Sequence, residues 1–248
     1  MEVLPLHTRR LQRGDDLASV LKEAGLIADG DIVVVSSKVV SITEGSAVAL
    51  SSLSASTAAK ELAKLSDLEP GFAELVLQET SRMNGKVVGA VPHAILTSLR
   101  PTGMNHGRIL CPNAGADQSN AGADTAIPWP KDAASSAAML SASLNVPVVI
   151  SDSCCTPGRL GVTAFALAVS GFDPVRSEAG KPDLFGRSLR ITHEAVGDQL
   201  ATIANTVMGN SSQSIPAAII RGHGIPVSDF SGWVDGINPE EDLFRGSL

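Results

Sequence analysis

Tyrosine is absent from this 248-residue chain, and six phenylalanines and two tryptophans are its only aromatic residues. Proteins that grip single-stranded nucleic acid do so on exposed aromatic platforms, so an aromatic content of 3% argues against that class of partner. Positive charge is also in short supply. A net charge of −7 speaks against a general nucleic-acid binder or a ligand of anionic membranes, leaving at most a local basic groove. No apolar run approaches the roughly 20 residues of a membrane-spanning helix. The start of the chain, Met-Glu-Val-Leu-Pro, has neither the basic region nor the apolar core of a secretion signal. The expectations are no nucleic acid, no membrane and a cytoplasmic location.

Cysteine is scarce too. Cys111, Cys154 and Cys155 fit a reducing compartment. The last two are adjacent, so pairing them would need a strained ring. No Cys-x-x-Cys spacing is present, and zinc is not indicated. The simplest role for the adjacent pair is that of small apolar packing residues.

What the chain does contain is a mixed pattern of helix and strand signals, without repeats or a long linker. The expectation is an α/β fold, with α+β mixed sheets, in one domain spanning residues 1–248. Leu17, Val20, Leu21 and Ala24 follow Asp15-Asp16 and end at Gly25, which reads as a short capped helix. The β-branched stretch 32–40 reads as a buried strand leading to a turn at Thr43-Glu44-Gly45. Further helices are expected near Lys64, after Pro70-Gly71, from Asp132 to Leu144, and through Val196, Leu200, Ile203 and Val207. Two short strands are expected in 86–112, around a loop at 100–107. Other strands are expected up to Ile150, over 162–172 and over 215–220.

Two stretches carry the chemistry. One is Asn113-Ala-Gly-Ala-Asp117-Gln-Ser-Asn120, where small residues let a ligand approach the backbone beside a carboxylate and amides. The other is the apolar run Val146-Pro-Val-Val-Ile-Ser-Asp152-Ser153, which reads as a strand ending at a carboxylate and a hydroxyl. In open parallel sheets ligands sit beyond such strand ends, and hard oxygen ligands suit divalent cations. Together they read as a metal–nucleotide site. Either aspartate alone could instead cap a helix or close a turn. Arg159, near Asp152, suits an oxyanion. Gly209 could be no more than a helix terminus, and Lys38 a solvated surface lysine.

The order of segments resembles the coenzyme F420-0:gamma-glutamyl ligase family. The matching pieces include Gly14-Asp-Asp-Leu17, Val35-Ser-Ser-Lys-Val-Val-Ser41, Glu44-Gly45, His106-Gly107 and Cys111-Pro-Asn-Ala-Gly-Ala-Asp-Gln-Ser-Asn120. They continue with Val149-Ile-Ser-Asp152, Asp183-Leu-Phe-Gly-Arg187, Val207-Met-Gly209 and Pro239-Glu-Glu-Asp-Leu-Phe-Arg245. The resemblance implies a two-lobed, butterfly-like homodimer with its site near the subunit interface. It implies a ligase that uses GTP and two divalent ions, Mg2+ or Mn2+, and admits K+ as a further cation. The substrates would be L-glutamate and coenzyme F420-0 or a related acid, joined at a lactyl carboxylate through an acyl phosphate. Carried over by position, Asp117 and Asp152 hold one metal, Ser153 and Gln213 serve the second, and Arg159 assists catalysis. Nucleotide contacts fall to His7, Thr8, Arg9 and Arg10, to Lys38, Ser41 and Asn120, and to Met208, Gly209, Asn210, Ser211, Ser212 and Gln213.

This chain departs from the family pattern at several places. After the strand the family reads Ser-Asp-Thr-Phe-Gly-Arg-Pro-Trp-Arg-x-Gly-Gln-Thr, and here Thr156, Gly158 and Val162 replace the arginine, tryptophan and glutamine. Ile42 stands where a lysine is usual, and Gln213 where an acid is usual. Each lost charged hydrogen bond is worth on the order of 1–3 kcal/mol. Besides the ligase, two other readings stand: a ligand-binding subunit without turnover, and a metal-dependent phosphohydrolase.

Overall fold

Alternation along β-branched runs explains the central sheet. In the computed structural model, which describes residues 1–244, Ile32–Ser36 and Val148–Cys155 lie side by side in parallel, with Val33 opposite Val148 and Val35 opposite Ile150. Successive side chains of a strand point to opposite faces. Accordingly Val33, Val35, Val148 and Ile150 enter one apolar core, whereas Ile32, Val34 and Val149 enter a second core on the other face. Strands buried on both faces read as unbroken apolar runs, which is how these appear in the sequence.

Six strands make this sheet, in the order Glu2–Leu6, Ala217–Arg221, Ile32–Ser36, Val148–Cys155, Val162–Ser170, Ser231–Trp233. Every neighbouring pair but the central one is antiparallel. The sheet is therefore not the open parallel one that the strand-end argument pictured, although the parallel pair supplies the same kind of strand end locally. The helix Val196–Met208 covers one face through Val196, Leu200 and Ala204. The helices Leu17–Glu23 and Ala133–Leu144 contribute to the core on the other face. Asp132 caps the second of these by accepting from the Ser135 amide at 3.0 Å, as its position suggested.

Three expectations need correction. The β-branched stretch 32–40 is not one strand: it ends at Ser36, and Ser37–Thr43 is a helix. Strand propensity there is overridden by tertiary packing, with Val40 and Ser41 buried in the helix. The strand expected to stop at Asp152 runs on to Cys155, pairing with Val162. The 86–112 region holds three strands, Lys86–Val91, Ala94–Leu99 and Ile109–Pro112. The missed turn joins Val91 to Ala94 across two residues, with His93 at φ +70°, where the usual signal is Asn-Gly or Asp-Gly.

Smaller pieces complete the chain. Residues 176–194 form an arm closed by the pairing of Arg176–Ser177 with His193–Glu194, and its tip exposes Leu184 and Phe185. Among the described residues no helix is long and apolar enough to cross a membrane. Arg245, the last residue of the matching C-terminal piece, lies outside the described residues.

Candidate active site

A cavity of about 940 Å³ opens at the carboxyl ends of the parallel pair. Most of its wall comes from five segments: residues 8–13, the helix Ser37–Thr43, the loop around Asp117, residues 151–153, and residues 208–216. Among the positions carried over from the resemblance, Thr8, Arg9, Arg10, Lys38, Asp117 and Asn120 reach the wall. So do Asp152, Ser153 and the run from Met208 through Gln213.

The loop bearing Asp117 is shaped by its small residues. Asn113, Ala114 and Gly115 all adopt positive φ, at 54°, 51° and 74°. A Cβ on Gly115 would stand 2.1 Å from the indole of Trp129, so no side chain fits there. Asn113 stabilises the loop by accepting from the Ile95 amide at 2.9 Å. Asp117 then bridges to Ile127 in both directions, through its own amide at 3.0 Å and the Ile127 amide at 2.8 Å.

A cation already occupies the Asp117 carboxylate. Lys38 donates to Asp117 Oδ2 at 2.6 Å, to Ser119 Oγ at 2.7 Å and to the Ser119 carbonyl at 3.0 Å. Ser119 also donates to Asp117 through its amide and its hydroxyl, both at 2.7 Å. Burial works against ionisation of Asp117, but Lys38 and Ser119 outweigh it and hold the carboxyl below its usual range. Asn120 links this loop to the far wall, donating to the Ser211 carbonyl at 2.9 Å. Gln213 accepts from the Ser211 amide at 2.8 Å, which folds the 208–216 loop on itself.

Asp152 sits just past a bulge. Ile150 pairs with Ala168 but Ser151 with Ala166, so Leu167 is the extra residue. Bulges re-aim the side chains that follow them. The Ala166 amide donates to Asp198 at 2.9 Å rather than standing unpaired. Asp152 accepts from the Trp129 indole and from the Ser153 amide. Burial dominates its charge and pushes the carboxyl up to about 6, against the pull of Trp129, Ser153 and Lys38.

These donors suit a hard divalent cation. Mg2+ and Mn2+ favour oxygen ligands, and Mg2+ commonly takes only one or two carboxylates, filling the rest with water and phosphate. Asp117, Asp152 and Ser153 offer such oxygens, and the Lys38 ammonium seated among three oxygens shows that the place attracts positive charge. No group of three or more His, Cys, Asp or Glu residues is assembled among the described residues.

Other positions lie apart. His7 is exposed and outside the cavity wall. Ser41 is wholly buried in its helix, and its hydroxyl has no hydrogen-bond partner among the described residues. Arg159 is on the exposed turn joining Val148–Cys155 to Val162–Ser170, with Thr156 and Gly158 beside it. Ile42 and Gln213, by contrast, are on the wall. All three cysteines are free; burial pushes the Cys154 thiol up to about 11, which suits a packing role better than a nucleophile, whereas Cys155 is exposed and does not take the packing role expected of the pair.

Ser119, Trp129 and Arg13, the last on the cavity wall, were not singled out from the sequence. Ser119 completes an Asp-x-Ser turn, a pattern legible in principle because aspartate side chains bond to the amide two residues on. Trp129 carried a weaker signal: it is one of two tryptophans, placed between Pro128 and Pro130.

Comparison with known proteins agrees with the order of segments. The model of the family described as F420-0:Gamma-glutamyl ligase matches residues 5–222. The coenzyme F420:L-glutamate ligase of Methanopyrus kandleri is 34% identical over 255 residues, covering 99% of this chain and 97% of the relative. That of Methanothermobacter thermautotrophicus is 36% identical, covering 94% of each. That of Methanocaldococcus jannaschii is 35% identical, covering 88% and 86%. With its length, segment order and motif loop all accounted for, the chain belongs to the F420-0:gamma-glutamyl ligase family.

Proposed function

We propose that this protein is a GTP- and divalent-metal-dependent ligase that joins the amine of L-glutamate to the lactyl carboxylate of coenzyme F420-0. The observation that carries this reading is the cavity itself, whose wall includes the carboxylates of Asp117 and Asp152, the hydroxyl of Ser153 and the arginines Arg9, Arg10 and Arg13. A carboxylate resists attack by an amine until its oxygen is converted to a leaving group. Transfer of the γ-phosphoryl of GTP to it gives an acyl phosphate, and the glutamate amine then displaces phosphate. Positioning and charge neutralisation do most of the work in such a transfer. Arg10 and Arg13 line the cavity and would offset phosphate charge, and the loop from Met208 to Gln213 would seat the nucleotide. Asp117, Asp152 and Ser153 are the residues that would hold a divalent ion, which supplies neutralisation of phosphate charge.

A single ligase domain acting as a two-lobed homodimer accompanies this reading. Its support is the apolar surface on protruding segments, where Leu160, Leu184, Phe185 and Ile191 are all largely exposed. Apolar groups of this kind would mark an interaction site where they join into one patch in the dimer. A second reading keeps the nucleotide and metal but changes the acid or amine. Ile42 favours it, because an apolar side chain lines the cavity where the family pattern has a cation.

The test is GTP turnover by the purified protein with Mg2+ or Mn2+, L-glutamate and coenzyme F420-0, followed by product mass. A glutamyl product lost by at least about 100-fold in Asp152→Asn supports the ligase. GTP hydrolysis or binding without that product supports the second reading. Protons compete with metal for a carboxylate, so Mn2+ affinity should weaken as pH falls through about 6, where the Asp152 carboxyl takes up its proton.

A further inference from the structure

Trp129 is a buried side chain whose single polar atom has one use. The residue is 1% exposed, and an indole N–H can only donate. Buried donors need a partner, and here the partner is Asp152 Oδ2. The seat around the ring is built for it. Gly115, at φ +74°, leaves the space that a Cβ would close to 2.1 Å from the ring. Phe165, which pairs with Asp152 across the sheet, meets the indole edge-on at 6.1 Å. One ring thus touches the loop that carries Asp117 and the strand that carries Asp152.

We propose that Trp129 is a positioning residue: its indole sets the rotation of the Asp152 carboxylate, and its bulk sets the loop of Asp117 against that strand. This rests on the reading of Asp152 as a ligand for a divalent cation. A carboxylate offers about four lone-pair sites, and the Trp129 indole and the Ser153 amide take two of them. The remaining sites stay available on a group whose orientation is fixed. The choice of donor matters as well. A lysine or arginine in this place would cancel the negative charge that draws a cation, whereas an indole orients the carboxylate and leaves its charge intact. Partners that orient a metal-holding side chain are typically worth about 10–100-fold in metal affinity or activity.

The test uses the full-length protein and Mn2+ or Mg2+ alone. Its two tryptophans, Trp129 and Trp233, give two indole resonances in a ¹H–¹⁵N spectrum, and Trp129→Phe assigns them by deleting one. Mg2+ is expected to shift the Trp129 resonance and not that of Trp233, and Asp152→Asn to abolish that response. Trp129→Phe is expected to weaken Mn2+ binding about 10-fold or more, with the Trp233 resonance reporting that the variant is folded. A Trp129 resonance unmoved by Mg2+ that does bind, or a folded Trp129→Phe that binds Mn2+ as tightly as wild type, overturns the positioning role. Equal Mn2+ affinity in wild type and Asp152→Asn overturns the cation reading itself, and this role of the tryptophan with it.

Discussion

The strands Val148–Cys155 and Val162–Ser170 behave as core at one end and as periphery at the other. At the inner end, Val149 and Ile150 face Val169 and Ala168, all fully buried. At the outer end Cys155 pairs with Val162 beside a turn where Leu160 is fully exposed. Asp152 lies at the boundary, just past the bulge and under Trp129. Interior positions are close-packed and feel the loss of single methylene groups. Exposed turns tolerate substitution. That contrast bears on three of the departures that the resemblance implies, though not on those at Ile42 and Gln213, which line the cavity. Thr156 and Gly158 lie in the outer turn and Val162 at its edge. The two aspartates and Ser153 occupy places held by the bulge, the indole and the loop. A turn can therefore change what it meets without disturbing the carboxylates behind it.

Ile150 anchors the inner end as a fully buried side chain. Ile150→Ala should lower stability by about 2–5 kcal/mol in denaturant unfolding, as expected for a fully buried aliphatic side chain. A loss under about 1 kcal/mol would mean that the inner end is not the packed anchor described. Asp198→Ala probes the boundary and should cost about 1–3 kcal/mol, because it leaves the Ala166 amide without its acceptor. Faster hydrogen exchange at Ala166, with weaker Mn2+ binding, would tie the bulge to the aim of Asp152. Unchanged exchange there would separate them. Leu160→Ser should leave unfolding within about 0.5 kcal/mol of wild type. If its sedimentation changes instead, the outer turn is a contact between copies rather than a free surface.

Much of the helical structure was legible because its signals are local. Asp132 announced the start of Ala133–Leu144, and Gly209 the end of Val196–Met208. The motif loop was legible as small residues around a carboxylate. Ser37–Thr43 was not, because valine and isoleucine favour strands until packing decides otherwise, and that error hid the helix presenting Lys38 to Asp117. The hairpin at His93 was missed because its positive φ is carried by a histidine.

By itself the sequence determined which segments are apolar on both faces, where several helices begin and end, which residue types could bind a cation, and to which family the chain belongs. These are properties of short stretches, or of their order. Tertiary structure alone decided that the sheet is mostly antiparallel, that the strand of Asp152 continues beyond it, and that Trp129 and Lys38 are the partners of the two carboxylates. Each of those depends on contacts between residues far apart in the chain, Lys38 with Asp117 and Trp129 with Asp152. No local periodicity encodes which distant donor a buried carboxylate will meet; chain packing brings that donor into place.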